Sequence, residues 1–425
     1  MSTTRVSKRI ELINTCLAKA WQSGAAQVPQ LGPEDILAKA RQKSRAGPGD
    51  CSSPLSADWL ERLSLLTGDL QQRADLTPLG RTIAHGQLVS AAANMLGMHR
   101  LWERHGEIEE QSLERPIIIV GQMRSGTTRL QRMLACDARF RFTKFHESWA
   151  PLPRAGWHQY SPSSAIDDRT WRARAGLIAA KLLNPEFQVM HPTSANAPDE
   201  EIGFFNMLMV PAAYEAQWRL PQFVRHCEAM DSTPVYLEFK RILKTIAWLR
   251  GGGHDRRPWI LKVPQFAEDL GSLLRVFPDA RVIHATRDRD AVVASSSSLV
   301  RSQMMLQSER VDPRGVGREW SRKVALRMER TERALATADV PRIEVAYHDV
   351  DQDWRKEIAR IYAMLGLPRS HRTEEKMGRY LRASANGPVR RHRYDPADYG
   401  LPARRPSFQN PAGPANQGGR YPATI

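Results

Sequence analysis

Apolar residues recur at helical spacing along the first quarter of the chain. Between residues 33 and 110, leucines such as Leu60, Leu63 and Leu70 fall on one face of a 3.6-residue repeat. A segment rich in Gly, Pro and Ser, residues 43–54, interrupts this pattern. The pattern therefore predicts a region made of helices, with one loop inside it.

From residue 115 the pattern changes to short apolar runs. Ile117–Val120 is β-branched throughout, as a buried parallel strand is. The run ends at Gly121, and Thr128–Leu134 then shows helical spacing. The predicted order is strand, glycine-bounded loop, helix.

Three later apolar runs show the same strand-like pattern. We predict strands at 259–263, 281–286 and 342–347, with a helix at 266–276 between the first two. Strands that alternate with helices form parallel sheets covered on both faces. The predicted fold class is α/β, with a P-loop-type parallel sheet flanked by helices and a helical N-terminal region.

These patterns divide the chain into three parts. Residues 1–112 are the helical region, which includes a weakly patterned but helical start. Residues 113–403 hold the alternating strands and helices. Residues 404–425 are rich in Pro, Gly and Asn, which predicts an extended or disordered tail.

The net charge is +16, from 62 Lys and Arg against 46 Asp and Glu. Such an excess is compatible with a plain basic surface or with an anionic ligand, whether nucleotide, nucleic acid or lipid head group. Arginine is spread over most of the chain, which argues against a dedicated nucleic-acid-binding tail. No nucleic-acid-binding motif is present, so we expect no nucleic-acid partner.

The four cysteines have no metal-type spacing, so we expect neither a zinc site nor a disulfide framework, as in a reducing compartment. The first residues lack the apolar segment of a secretory signal. No apolar run reaches the roughly 18 residues that a membrane span needs. We therefore expect a cytoplasmic protein without a transmembrane segment, and its oligomeric state stays open.

The segment from Gly121 to Thr128 has the G-x-x-x-x-G spacing of a phosphate-binding loop. Its place between a strand and a helix is the context that supports this interpretation. Thr127 stands where nucleoside-triphosphate loops carry a lysine for the β- and γ-phosphates, and Arg124 could supply the missing charge. The plain alternative is a glycine turn between a strand and a helix.

A second candidate phosphate site follows the strand at 281–286. Arg287 stands at the strand end, and Ser295 lies about two turns into the next helix. An arginine and a serine so placed can grip one phosphate from two sides. The alternative is an arginine paired with Asp288 or Asp290 beside a serine-rich helix face.

Residues 116–134 (PIIIVGQMRSGTTRLQRML) resemble the phosphosulfate loop of sulfotransferases that use PAPS, 3′-phosphoadenosine 5′-phosphosulfate. The branch they resemble is mainly bacterial and is similar in its motifs to tyrosylprotein sulfotransferases. The resemblance covers roughly residues 33–402. It is most specific in RSGTT, in LKVP and in the Arg287–Ser295 pair, in that order.

This resemblance implies which residues bind the donor. The loop would cradle the 5′-phosphosulfate, Arg287 and Ser295 would hold the 3′-phosphate, and Tyr347 would lie near the nucleotide. The implied donor-binding residues are Gly121, Arg124, Ser125, Gly126, Thr127, Thr128, Arg287, Ser295 and Tyr347.

The resemblance also implies three catalytic residues. Glu147 matches the family's general base, Lys262 the lysine of its K-x-P pattern, and Arg124 the basic residue that contacts the sulfonate. His146 is the rival base. The acidic cluster of residues 199–201 matches a second acidic segment of the bacterial branch, or is an acid-rich helix N-terminus.

We therefore expect a sulfotransferase that moves the sulfonate of PAPS to a hydroxyl acceptor without a metal. The acceptor could be a small molecule, a lipid, a sugar or a peptide. One alternative is a P-loop kinase for a small molecule, which would need the missing lysine and Mg²⁺. Another is a non-catalytic nucleotide-binding protein on the same fold.

Overall fold

The computed structural model describes residues 8–44, 55–153, 168–183, 193–253, 255–385 and 395–402. Most of the loop predicted at 43–54 and the whole tail predicted from 404 lie outside the described residues.

A parallel sheet of five strands forms the centre of the molecule, with the order β2-β3-β1-β4-β5. The strands are β1 (Ile117–Gly121), β2 (Arg141–Phe142), β3 (Trp259–Leu261), β4 (Arg281–Thr286) and β5 (Arg342–Ala346). All strand pairs in this order are parallel. The predicted α/β class with a helix-flanked parallel sheet is confirmed.

Helices surround this sheet. Before β1 lie α1 (Lys8–Gln22), α2 (Pro33–Lys43), α3 (Ala57–Gln72), α4 (Pro78–Arg104) and a short 3₁₀ turn, Gly106–Ile108. After β1 lie α5 (Thr127–Leu134), α6 (Phe145–Trp149), α7 (Arg169–Leu183), α8 (Ile202–Met207), α9 (Tyr214–Gln217), α10 (Pro221–Ala229), α11 (Thr233–Leu249), α12 (Phe266–Val276), α13 (Arg289–Gln307), α14 (Pro313–Thr337), α15 (Tyr347–Leu365), α16 (His371–Ala385) and a 3₁₀ turn, Pro396–Tyr399.

The start of α4 shows how local sequence fixes a helix end. Thr77 is the N-cap, and its hydroxyl accepts a hydrogen bond from the backbone N–H of Gly80 at 3.0 Å. Pro78 follows at the first helical position, where its lack of an N–H has no cost. The prediction of a helical N-terminal region, by contrast, was based on the spacing of apolar residues alone.

The side chains of β1 point alternately to the two faces of the sheet and contribute to two layers of the core. Ile118 and Val120 belong to the hydrophobic cluster that also contains residues of the N-terminal helices, such as Leu88 of α4, while Ile117 and Ile119 belong to a second cluster. Successive strand residues point to opposite faces, so one strand contributes to both layers. The N-terminal helices therefore share their hydrophobic core with the sheet.

β1 lies between β3 and β4, and the three strands run in the same direction. β3 pairs with β1 through Ile117 and Ile118, and β4 pairs along the whole of β1. The carboxyl ends of β1, β3 and β4 therefore lie side by side, which is where open α/β sheets bind ligands.

Candidate functional site

The loop of residues 121–126 joins β1 to α5, and both of its glycines are required by geometry. A Cβ at Gly121 would lie 2.6 Å from the carbonyl oxygen of Ala285. Gly126 has φ of +87°, and a Cβ there would lie 2.8 Å from Cδ2 of Tyr347. The Ser125 hydroxyl donates to the Gln122 carbonyl at 2.6 Å and closes the turn. The glycine spacing thus reflects close approach of the backbone to its neighbours.

Helix α5 begins at this loop without a side-chain cap. The first N–H groups of a helix have no intrahelical partner, and the helix dipole favours negative charge in front of them. A loop of this kind ahead of a helix is suited to bind a phosphate or sulfate group.

Arg124 connects the loop to the second candidate phosphate site. Its Nε donates to Oγ of Ser295 at 3.1 Å, and its carbonyl accepts from Nη1 of Arg287 at 2.6 Å. Arg124 has φ of +71°, a left-handed conformation that costs on the order of 1 kcal/mol for a residue with a Cβ. The fold thus brings Arg124 to two residues that lie more than 160 positions further along the chain.

Tyr347, the first residue of α15, lies against the other side of the loop. Its ring centroid is 4.3 Å from the guanidinium carbon of Arg287 and 5.3 Å from that of Arg129. Arg129 also forms an ion pair with Asp351. These two cation–π contacts fix the Tyr347 ring beside Gly126 and restrict the position of the Arg287 side chain. Arg129 was not predicted, because its place in the site depends on how α15 packs.

Lys262 directly follows β3 and is only 2% exposed. Its Nζ donates to Oγ1 of Thr128, in the first turn of α5, at 2.9 Å. The same ammonium forms an ion pair with Glu200. A buried lysine needs such partners, and these two hold its charge at the start of the phosphate-loop helix.

The three acidic residues before α8 have different environments. Glu200 pairs with Lys262, and its side chain is 13% exposed. Glu201 is fully buried and accepts a hydrogen bond from the backbone N–H of Lys262 at 2.7 Å. Burial raises the pKa of Glu201 to about 8, although this hydrogen bond opposes the increase. Asp199 accepts from the Thr193 hydroxyl at 2.8 Å and fixes the loop.

Glu147 lies in α6 and is 1% exposed. Both of its carboxylate oxygens accept hydrogen bonds from Arg250, at 2.8 and 2.5 Å, and one also accepts from the Lys144 backbone N–H. Burial would raise the pKa of Glu147, but Arg250 outweighs it and holds the pKa below its ordinary value. The carboxylate is thus ionised and engaged by partners other than the phosphate loop.

His146, the rival base, is also buried. Its Nδ1 lies 3.0 Å from the Ala195 carbonyl oxygen, and its backbone N–H donates to the same carbonyl. These contacts join α6 to the loop that carries Glu200. The structure therefore brings Arg124, Lys262, Arg287, Ser295 and Tyr347 around the loop, while His146 contacts a neighbouring segment.

The charges at the loop suit an anion. Arg124, Arg287 and Lys262 contribute three cations from three different strand ends. Within the part of the chain that the structure describes, no group of three or more His, Cys, Asp or Glu side chains could hold a metal ion.

The fold defines an α/β protein, and the loop is suited to a phosphate or sulfate group. The chain belongs to the sulfotransferase family, whose model matches residues 116–371. It is therefore a transferase. No curated protein matches the sequence.

Solved structures with the same fold include two mycobacterial proteins. Sulfotransferase STF1 from Mycobacterium tuberculosis H37Rv has a TM-score of 0.70 and 24% identity, over 87% of this chain and 95% of that one. Sulfotransferase STF9 from Mycobacterium avium has a TM-score of 0.74 and 24% identity, over 88% of this chain and 93% of that one.

Among the helices of the described residues, none is both long and apolar enough to cross a membrane.

Proposed function

We propose that this protein transfers the sulfonate of PAPS to a hydroxyl group and releases adenosine 3′,5′-bisphosphate. The observation that carries the proposal is the contact of Arg124 with both Ser295 and Arg287. It joins the loop suited to a 5′-phosphosulfate with the pair suited to a 3′-phosphate. A nucleotide with phosphate groups at both positions fits this arrangement.

Donor binding would use backbone and side-chain groups together. The N–H groups of residues 121–128 surround the 5′-phosphosulfate, assisted by the side chains of Ser125, Thr127 and Thr128. Arg287 and Ser295 bind the 3′-phosphate. Tyr347 keeps Arg287 in place through the 4.3 Å stacking contact.

In the transfer step the acceptor oxygen attacks sulfur, and the bond between sulfur and the bridging phosphate oxygen breaks. Negative charge then grows on the leaving 5′-phosphate. Lys262 and Arg124 neutralise it, since Lys262 already holds its ammonium 2.9 Å from Thr128 at the head of α5. These two cations stabilise the charge on the leaving group, so the proposed reaction does not use a metal ion.

The hydroxyl proton needs a base, and two glutamates compete for this role. Glu147, which the sequence predicts, would have to leave Arg250 and become exposed. Glu200 already contacts Lys262. When the donor binds, Lys262 would exchange Glu200 for the phosphosulfate, leaving that carboxylate able to take the acceptor proton. The contacts therefore favour Glu200 as the base.

The two alternatives differ in support. No observation favours a kinase, because Thr127 occupies the position of the phosphate-binding lysine. A non-catalytic nucleotide-binding protein would keep the loop and the 3′-phosphate pair. It would have no need of a buried lysine beside a carboxylate at the reacting end of the site.

The test is to incubate the protein with PAPS and cell extract and to identify sulfated products by mass spectrometry. We expect new products that disappear with Lys262→Ala. Lys240→Ala is the matched control, because that lysine on α11 contacts the Val276 carbonyl instead of the loop. Tight binding of adenosine 3′,5′-bisphosphate without any sulfated product would favour the non-catalytic alternative.

A further inference from the structure

Helix α7 presents an apolar face to solvent. Trp171, Ile178 and Leu182 are 67%, 61% and 56% exposed. At 3.6 residues per turn these three positions lie within about 40° of one another around the helix. Large apolar side chains that are exposed together on one face indicate a contact with something outside the described fold.

The opposite side of α7 already has its partner. Arg169 and Ala173 are buried there, and Nη1 of Arg169 donates to the Pro151 carbonyl at 3.0 Å. The exposed face therefore lies on the side of the helix opposite these buried residues.

The charges of α7 identify the kind of partner. The helix carries Arg169, Arg172, Arg174 and Lys181 and no acidic residue. Arg174 and Lys181 are exposed beside the apolar face, and the guanidinium carbon of Arg174 lies 4.8 Å from the Trp171 ring centroid. Trp with aliphatic residues on one face, flanked by basic residues, is a combination that can bind the surface of an anionic membrane.

The same helix also lines a groove of about 380 Å³ with residues 193–196. Leu177, Ile178, Arg174 and Lys181 are its lining residues from α7. Glu200 follows Asn196 by four residues, which span at most about 14 Å. A membrane against α7 would therefore lie close to the candidate site.

We propose that the exposed face of α7 docks on the surface of an anionic lipid membrane. Trp171, Ile178 and Leu182 enter the interface, and Arg174 and Lys181 contact the acidic head groups. This inference does not depend on the proposed reaction, because docking requires neither PAPS nor an acceptor.

The experiment is co-sedimentation of the full chain with vesicles, made of phosphatidylcholine alone or with added phosphatidylglycerol. We expect binding that needs phosphatidylglycerol. A net charge of +16 would by itself cause some binding, so the decisive variant keeps the charge: Trp171→Ser, Ile178→Ser and Leu182→Ser combined. We expect vesicle affinity to fall by on the order of 10²-fold. Leu237→Ser, on α11 and also 56% exposed, is the control and should bind like the parent.

Three results would overturn the proposal. The parent chain could fail to bind the anionic vesicles, or the triple variant could bind them as well as the parent. The third is a melting temperature of the triple variant far below that of Leu237→Ser. That result would show that the chain itself covers the face.

Discussion

Exchanging Glu147 for glutamine tests whether this carboxylate stabilises the fold or acts as the catalytic base. In the structure this 1% exposed group accepts two hydrogen bonds from Arg250, whose side chain is 24% exposed. Glutamine keeps one acceptor but turns an N–H₂ group toward donors. Losing a charge-assisted contact costs about 1.5–3 kcal/mol, with the lower half of that range favoured by the partly solvated Arg250. The unfolding entropy of a chain of this length is about 0.9 kcal/mol/K. Dividing the lost free energy by this entropy predicts a melting temperature lower by roughly 2–3 °C.

The assay pairs this variant with Glu200→Gln. Transfer of radiolabelled sulfate from PAPS into cell extract needs no identified acceptor, and calorimetry gives the melting temperature. We expect Glu147→Gln to be less stable yet active, and Glu200→Gln to lose about 10²–10⁴-fold in transfer rate. Because the pKa of Glu147 is lowered in the fold, its stabilisation is present above pH 4.5 and is lost as pH falls further. The reasoning is refuted if Glu147→Gln melts like the parent but transfers no sulfate while Glu200→Gln stays active.

Three further predictions follow from single contacts. Arg287→Ala should weaken binding of adenosine 3′,5′-bisphosphate by about 10–100-fold and leave adenosine 5′-phosphate nearly unchanged, as measured by titration calorimetry; equal losses would contradict a 3′-phosphate role. Gly126→Ala should lower bisphosphate affinity by at least about tenfold, because its Cβ would lie 2.8 Å from Tyr347 at φ of +87°; Gly86→Ala on α4, where the added Cβ meets nothing, is the control. Glu201, with a pKa of about 8, should make the free energy of unfolding fall as pH rises from 4.5 to about 8. Urea titrations should show that Glu201→Gln removes this slope, and an unchanged slope would count against a protonated Glu201.

The sheet and its loop could be predicted because their signals are local. Ile117–Val120 is apolar and β-branched, and Gly121 follows it at once, so the strand and its end were visible in the sequence. The predicted strand at 281–286 and helix at 266–276 have the observed bounds. β3 ends at Leu261, two residues before the predicted end, so Lys262 follows the strand. β2 has two residues and was not predicted, because so short a strand carries no period.

The candidate site was less predictable because its contacts are distant along the chain. Glu147 and Arg250 are 103 residues apart, and nothing near Glu147 in sequence indicates that its carboxylate is engaged. The cluster of residues 199–201 was visible, but only packing assigns Glu200 to Lys262 and buries Glu201. Residue type and spacing thus indicated which groups are candidates, whereas their partners depended on tertiary structure.

We propose that the site binds a nucleotide phosphorylated at both the 3′ and 5′ positions. The most direct measurement is calorimetric titration of the full chain with adenosine 3′,5′-bisphosphate and, separately, with ATP, both in the presence of a Mg²⁺ chelator. We expect the bisphosphate to bind at least about tenfold more tightly than ATP, because only the bisphosphate offers Arg287 and Ser295 a 3′-phosphate. Tighter binding of ATP, or bisphosphate binding that requires Mg²⁺, would contradict it.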